Sequence, residues 1–492
     1  MRLFEIIEEL QEKEVFFQGD ADREIAGLTT DSRERGSNLL FVCLRGGKVD
    51  SHRCVKQAIK NGATAIVTEE KLDAEVPQII VKDSREALSF IAAAFYGNPS
   101  QKMKLIGITG TNGKTTTSYM FAEICRQAGK KVGVIGTLGV SYGRKRISTD
   151  LTTPDPIFLQ KTLLDMYISG VEYVVMEVSA HALYYKKTAG VAFDICIFSN
   201  FTQDHLDFFE DMQAYKQAKM RLFNPKLCPI ALLNGDEETG REIGRMREES
   251  GQKTLFYALN TPSDAFAVIT TENLLGTECV LNIEDTLCRV SLQMIGRHNV
   301  YNALAAATCA FELGFTAENI AKGLSILKGV NGRLQWVGKH HGGEIYVDFA
   351  HTPDGLKQSL STLKRYTKGR LICLFGCGGN RDKDKRPLMG EMAAKYADFS
   401  VLTSDNPRYE DPLDILSGIE KGYRRFSARY VVVPDRKTAF DYALDFMKKE
   451  DVLLIAGRGG EEYQEVMGIK YPFNDQTVLE QLLRQKGNEL HF

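Results

Sequence analysis

The 492 residues are too many for a single hydrophobic core, and roughly two to four domains are expected. A hydrophobic share of 43%, a charged share of 26% and a formal net charge of −2 describe an ordinary soluble enzyme and leave no bulk case for binding nucleic acid. The ten cysteines form no CxxC pair and no metal spacing, so they read as free thiols of a reducing, cytoplasmic compartment.

The N-terminal "MRLFEIIEELQEKE" predicts an amphipathic helix without the basic start and apolar core of a signal peptide. No apolar run is long enough to span a bilayer, so no membrane insertion is expected. Short strands follow at "LLFVCL" and "ATAIV", with a helix near "HRCVKQAIKNG". "YGNPSQK" breaks the pattern as a linker. From Lys104 the apolar runs "KLIGIT", "KVGVIG", "EYVVMEV", "DICIFSN" and "PIALLN" suit strands of a parallel sheet covered on both faces. A second boundary falls near "KGVNGRLQWVG" (328–338), and a fresh set begins with "EIYVDFA", "RLICLFG", "FSVLTS", "YVVVP" and "DVLLIAG". The expected fold is α/β in three domains: a small N-terminal α/β domain (1–98), a central P-loop-type ATPase domain with a mostly parallel sheet (99–330), and a C-terminal doubly wound, Rossmann-like domain (331–492).

The first chemical signal is "GITGTNGKTTTS" (107–118). It lies between the strand "KLIGIT" and a helix, although Ile108 stands where the common phosphate-loop signature has its first glycine. Glycines let backbone N–H groups converge on phosphate oxygens, and the helix N-terminus adds partial positive charge. Lys114 then suits the outer phosphates, and the Thr115 hydroxyl suits Mg²⁺. A strand-to-helix turn with a solvated lysine is the plainer alternative, and the coincidence of strand, glycines, Lys-Thr and helix argues against it.

"GTNGKTT" resembles the ATP loop of the Mur ligase family and of its relative folylpolyglutamate synthetase. Further motifs appear in that family's order: "MEVSAHAL" with Glu177, "SNFTQDHLDFF" with His205, "YKQAKMRLF" with Lys219, "GRHNVYNALAA" with His298, Asn299 and Asn302, "GR" at 332–333, and "DFAHTPDG". The resemblance runs from "TTDSR" (29–33) to "EEYQ" (461–464). "DSR", "TTPDP", "CGGNRDKDKRPLMG" and "DNPRYEDP" resemble members that add the third amino acid of the peptidoglycan precursor.

This resemblance implies a monomeric, ATP-dependent ligase that joins meso-diaminopimelate to UDP-N-acetylmuramoyl-L-alanyl-D-glutamate. A carboxylate oxygen is a poor leaving group, so ATP first makes the carboxylate an acyl phosphate. The amine then displaces phosphate, and no protein nucleophile is needed. By resemblance, Gly110, Thr111, Asn112, Gly113, Lys114, Thr115 and Thr116 hold ATP, with Asn302, Arg333 and Asp348 on its far side. Thr115 and Glu177 hold one Mg²⁺, and His205 with a carbamylated Lys219 helps hold a second. Lys114, Glu177, His205 and Lys219 form the catalytic set. Spacing alone leaves Lys216 as a rival to Lys219; the family's Tyr-x-x-x-Lys pattern selects Lys219. Thr30, Ser32, Gly47 and Lys48 resemble contacts to the UDP end, and Thr152, Thr153, Ser179 and Lys187 contacts to the middle of the precursor. Arg381, Asp405, Asn406, Pro407, Arg408, Gly457 and Glu461 resemble the amino-acid site, where Arg408 suits a second carboxylate that lysine lacks. The chain departs from the family's usual residues at Ala180, Lys187, Gln335, Arg458 and Gly460. Alternatives are a lysine-adding ligase, a folylpolyglutamate synthetase-like ligase and, from another class, a P-loop regulatory ATPase. ADP release that requires both precursor and amino acid separates the ligases from the last.

Overall fold

The apolar runs of the middle segment bury themselves as strands at the centre of a large sheet. In the computed structural model, which describes residues 1–10, 12–16, 22–46, 50–225, 227–274 and 276–486, this sheet has eleven strands. Its parallel part orders Ala265–Asn273, Thr254–Ala258, Ile230–Asn234, Ile195–Phe198, Lys104–Thr109, Tyr173–Glu177 and Val132–Gly136 side by side. The phosphate-loop strand, Lys104–Thr109, is thus central, and every residue after Lys104 in it is buried. Helices Lys114–Gln127, Arg297–Glu312 and Ala317–Ile326 cover one face through Met120, Phe121, Ile124, Leu304, Ala307 and Leu324.

Antiparallel strands extend both edges of this sheet. Gly276–Ile283 and Thr286–Leu292 continue one side, and Gly139–Tyr142 and Lys145–Ile147 the other. Reading only continuous apolar runs misses the first pair, because their burial alternates residue by residue as in a half-solvated sheet.

The smaller sheets obey the same logic. Gly27–Thr29, Leu39–Val42, Ala63–Thr68 and Gln78–Val81 lie parallel, and Lys13–Phe16 pairs antiparallel with the last. The N-terminal helix is correspondingly shorter than the sequence pattern suggests. It spans Leu3–Ile7, and "KEVF" becomes an edge strand with alternating exposure. The third sheet orders Gln335–His340, Gly343–Asp348, Val452–Ala456, Leu371–Phe375, Phe399–Leu402 and Tyr430–Val432, parallel except for its first strand. The carboxyl ends of its strands and of the central sheet open onto one shared cleft of about 710 Å³. Crevices at such strand ends are where open α/β sheets bind ligands. Among the described residues no helix is long and apolar enough to cross a membrane, and all ten cysteines are free thiols.

Candidate active site

The phosphate loop is built by close approach. Gly110 (φ +146°) and Gly113 (φ +88°) hold backbone shapes that side chains disfavour, and a Cβ would lie 1.9 Å from Ser199 Oγ at the first and 2.4 Å from Asn302 Oδ1 at the second. The Thr111 amide donates to the Asn200 carbonyl at 2.9 Å and the Asn112 amide to Asn200 Oδ1 at 2.8 Å. Lys114 folds back to donate to the carbonyls of Gly110 (2.8 Å) and Thr111 (3.0 Å). Burial pushes its amine below the usual lysine value.

Glu177 ends the neighbouring strand and is 1% exposed. It accepts from the hydroxyls of Thr115 and Thr137 and from the Thr137 amide, each at 3.0 Å. Thr152 meets the Thr137 hydroxyl at 3.2 Å, and Thr153 donates to the Glu177 carbonyl at 2.9 Å. Thr153 also accepts from the Ser179 amide at 3.0 Å, and Ser179 caps the helix Ala180–Tyr184. From the third sheet Arg333 crosses the cleft and donates to Thr115 Oγ1 at 2.9 Å, its guanidinium 4.4 Å above the Phe349 ring. Asp348 steadies this segment by accepting from the amides of Leu334 and Phe349 and from the Ser359 hydroxyl. Gln335 accepts from the Gly332 amide at 2.8 Å, so a neutral side chain shapes the turn that presents Arg333. Asn302 is oriented by Asn299 at 3.2 Å.

Spacing alone left two lysines on the helix Met212–Met220, and their surroundings differ sharply. Lys216 pairs with Glu242 at 2.8 Å. Lys219 lies on the buried face with Tyr215, one helical turn earlier, and is 2% exposed. Its amine donates to the Gly110 carbonyl at 2.8 Å and sits 4.5 Å above the Tyr215 ring. Burial, then the charge of Lys114, holds it well below the ordinary lysine value.

His205, in the left-handed region at φ +57°, faces Asp204, with 3.4 Å between Nε2 and Oδ2. Burial pushes its imidazole down to about 3. Asp204 itself is 4% exposed and also meets His351 at 3.5 Å and Lys385 at 3.8 Å. Burial would raise its carboxyl, but His351, His205 and Lys385 outweigh this and hold it well below the usual range. Asp204, His351 and Lys385 were not singled out from sequence. Each lies inside a recognised motif, but only the fold shows that residues from two sheets converge on one carboxylate.

Across the cleft, the loop 405–408 packs against 457–465. Asn406 donates to Glu461 Oε2 at 2.7 Å and accepts from Arg458 at 3.0 Å. Burial, then Asp405, pushes the Glu461 carboxyl up. Arg408 contacts Glu465 at 3.2 Å and donates to the Gly379 carbonyl at 2.8 Å. Arg381 reaches toward Asp207 at 3.8 Å, and Gly457 packs against the Asp405 side chain. Arg458 is fully buried and holds the carbonyls of Tyr463 (2.6 Å) and Phe473 (2.9 Å) beside Asp475. Arg436 forks onto the same Asp475 at 2.6 Å.

Several residues chosen from sequence do not line the cleft. Gly110, Thr153 and Lys219 stand directly behind it, bonded to residues that do or to one another. Pro407 is also set back. Lys187 pairs with Asp155 at 2.7 Å away from the lining. Thr30 and Ser32 lie in the turn that follows the strand Gly27–Thr29, where Asn61 donates to the Ser32 carbonyl at 2.8 Å, also outside the lining. Gly47 and Lys48 lie outside the described residues. Ala180 is buried against Phe209, Tyr215 and Ala218.

A phosphate loop faced across one cleft by an arginine, half-exposed histidines and a charged loop from another sheet defines a multidomain nucleotide-handling protein. The chain belongs to the Mur ligase family: the Mur ligase middle domain matches residues 108–310, the Mur ligase glutamate ligase domain 332–459, and the Mur ligase family catalytic domain 24–96. It is 40% identical over 488 residues to the UDP-N-acetylmuramoyl-L-alanyl-D-glutamate--2,6-diaminopimelate ligase of Caldanaerobacter subterraneus subsp. tengcongensis, covering 99% of each chain. The enzyme of that name from Geobacillus kaustophilus is 38% identical over 494 residues, with 99% of this chain and 100% of the relative covered. A solved structure of an enzyme of that name superposes with a TM-score of 0.68 at 30% identity, covering 94% of this chain and 96% of the other. The fold is shared with folylpolyglutamate synthase from Mycobacterium tuberculosis, at a TM-score of 0.63 and 15% identity over 83% of this chain and 96% of that one.

Proposed function

We propose that this protein is an ATP-dependent ligase that joins meso-diaminopimelate to the D-glutamyl carboxylate of UDP-N-acetylmuramoyl-L-alanyl-D-glutamate, releasing ADP and phosphate. The observation that carries the reading is the common cleft onto which the phosphate loop, Arg333 and the Asn406–Arg408 loop all face. Full-length similarity to enzymes named for this reaction supports it.

The residues act by position and charge. The loop amides and the start of the helix Lys114–Gln127 receive phosphate oxygens, and Lys114 turns from the loop carbonyls to the outer phosphates. Arg333, already on Thr115, meets the transferring phosphoryl group from the opposite side. The precursor carboxylate attacks the terminal phosphorus and ADP leaves; the amine then attacks the acyl carbon and phosphate leaves. Thr115 and Glu177 supply hard oxygen donors that fit one Mg²⁺, and His205 with a carbamylated Lys219 would hold a second. Bound there, the ions neutralise phosphate charge. Among the described residues no group of three or more His, Cys, Asp or Glu gathers at one point, so an ion bound there would need phosphate oxygens and water as further donors. A buried amine kept neutral is the form that reacts with carbon dioxide, which favours Lys219 over the ion-paired Lys216 as the carbamate. Arg381, Arg408 and Glu461 receive the charged ends of diaminopimelate, and Thr152 and Ser179, backed by Thr153, the precursor, which Lys187 would reach only by leaving Asp155. Thr30 and Ser32, in the turn after the strand Gly27–Thr29, would serve the UDP end.

The same reading treats 1–98, 99–330 and 331–492 as domains for precursor, ATP and amino acid, and the protein as a cytoplasmic monomer. The test is incubation with ATP, precursor and equal lysine and diaminopimelate, followed by product mass. One diaminopimelate adduct, with ADP release requiring both partners, is expected. A lysine adduct in comparable yield, or ADP release without the amino acid, would overturn the reading.

A further inference from the structure

Arg408 is not waiting with an open fork. Its backbone is locked into the hairpin formed by Tyr463–Val466 and Ile469–Pro472: the Arg408 amide donates to the Glu465 carbonyl at 3.0 Å, and the Met467 amide donates to the Arg408 carbonyl at 2.7 Å. Glu465 is fixed in turn by its amide, which donates to Asn406 Oδ1 at 2.8 Å. With both main chains held, the two side chains meet at Nε and Oε2, 3.2 Å apart. Each is about one-fifth exposed, at 21% and 22%, and both line the cleft. The neighbouring Glu461 is already engaged by the Asn406 amide.

A partly exposed ion pair of this kind is weak and easily exchanged. The far end of diaminopimelate carries a carboxylate and an ammonium on the same carbon, the mirror of the Arg408–Glu465 pair. We propose that Glu465 is a specificity-determining residue: it stands in for the substrate's far carboxylate on Arg408, yields the guanidinium when that carboxylate arrives, and then pairs with the ammonium beside it. The inference rests on the diaminopimelate reading above and deepens it. Specificity would then come from a matched pair of opposite charges rather than from the arginine alone. A substrate with only the far ammonium either goes unpaired itself while Glu465 keeps Arg408, or draws Glu465 away and leaves Arg408 unpaired. One with only the far carboxylate takes Arg408 and leaves Glu465 as a bare anion next to it. Both mismatches are penalised because a charge in the cleft loses its partner.

The experiment compares meso-diaminopimelate with 2-aminopimelate, the same chain lacking the far amino group, as kcat/KM at fixed ATP and precursor. The native enzyme should prefer diaminopimelate by about tenfold to a hundredfold. Glu465→Gln keeps size and backbone contacts but removes the charge. It should collapse that preference to within about threefold, with diaminopimelate used less well and 2-aminopimelate as well or better. A merely structural glutamate would slow both substrates in parallel. Glu465→Asp, melting like the native protein, should keep part of the preference and so separates charge from fit. An unchanged ratio in Glu465→Gln overturns the role of Glu465 while diaminopimelate ligation stands. Failure of the native enzyme to use diaminopimelate would instead remove the functional reading beneath it.

Discussion

Replacing Lys219 by methionine separates what this lysine does for folding from what it does for catalysis. The side chain is 2% exposed, and its one polar partner, the Gly110 carbonyl, also accepts from Lys114 at 2.8 Å. Methionine fills nearly the same volume over Tyr215, and the Gly110 oxygen keeps its other donor. Methionine avoids the cost of burying an unmodified amine beside Lys114 but also forgoes the attraction between Lys114 and a carbamate, so its stability should stay within about 1 kcal/mol of the native value. Turnover should fall. Loss of a charged oxygen ligand beside the transferring phosphate should lower kcat by about a hundredfold to a thousandfold. Thermal melting and ADP release, measured on one preparation, give both quantities. Native activity should also fall in buffer stripped of bicarbonate, and a short carboxylate such as formate should partly restore Lys219→Ala. A Lys219→Met enzyme that melts normally and turns over at the native rate would refute the carbamate argument and leave Lys219 as buried packing.

Lys114→Ala should abolish ligation with the fold intact, seen as native-like circular dichroism without ADP release; near-normal turnover would remove the phosphate-loop assignment. Arg408→Ala should lower kcat/KM for diaminopimelate by about tenfold to a hundredfold, less than for a fully buried fork because the side chain is partly exposed and already shared with Glu465. Its preference over lysine should narrow, and an unaltered preference would make the loop only a turn. Asp451 accepts from the Arg370 amide at 2.7 Å, the Arg370 guanidinium at 2.6 Å and the Lys448 amide at 2.9 Å. Burial would raise its carboxyl, yet these partners hold it below the ordinary aspartate value of 3.8, so the folded state binds fewer protons than the unfolded one. Its stabilisation is therefore complete above 3.8 and drains as pH falls toward the folded value. Asp451→Asn should lower the melting temperature at pH 7 and matter less in acid, whereas a gap independent of pH would contradict this.

Sheets buried on both faces were legible because their strands are continuous apolar runs, as in Lys104–Thr109 and Leu371–Phe375. The half-exposed strands Gly276–Leu292 and Lys13–Phe16 were not, since their polar positions disguise them. Motif residues that act along one loop, such as Gly110–Thr115, could be read directly. Convergence could not: Asp204 with His351 and Lys385, or Arg408 with Glu465, joins residues far apart in the chain. Arg458 shows the converse limit, because a basic residue in a substrate motif proves to be buried among carbonyls.

The last described helix, Asp475–Gln485, begins with the carboxylate that meets both Arg436 and Arg458, all three side chains having 0% exposure. Arg458 in turn grips Asn406, whose amide holds Glu461. A chain shortened to end before Asp475 would bury two guanidinium groups without that counter-charge, and the loop bearing Arg408 would lose its backing. The helix therefore cannot be trimmed as a dispensable tail. It anchors the loop bearing Arg408 from behind, and a C-terminal deletion reaching Asp475 should, on the proposed reading, be felt in the choice of substrate as much as in the melting temperature.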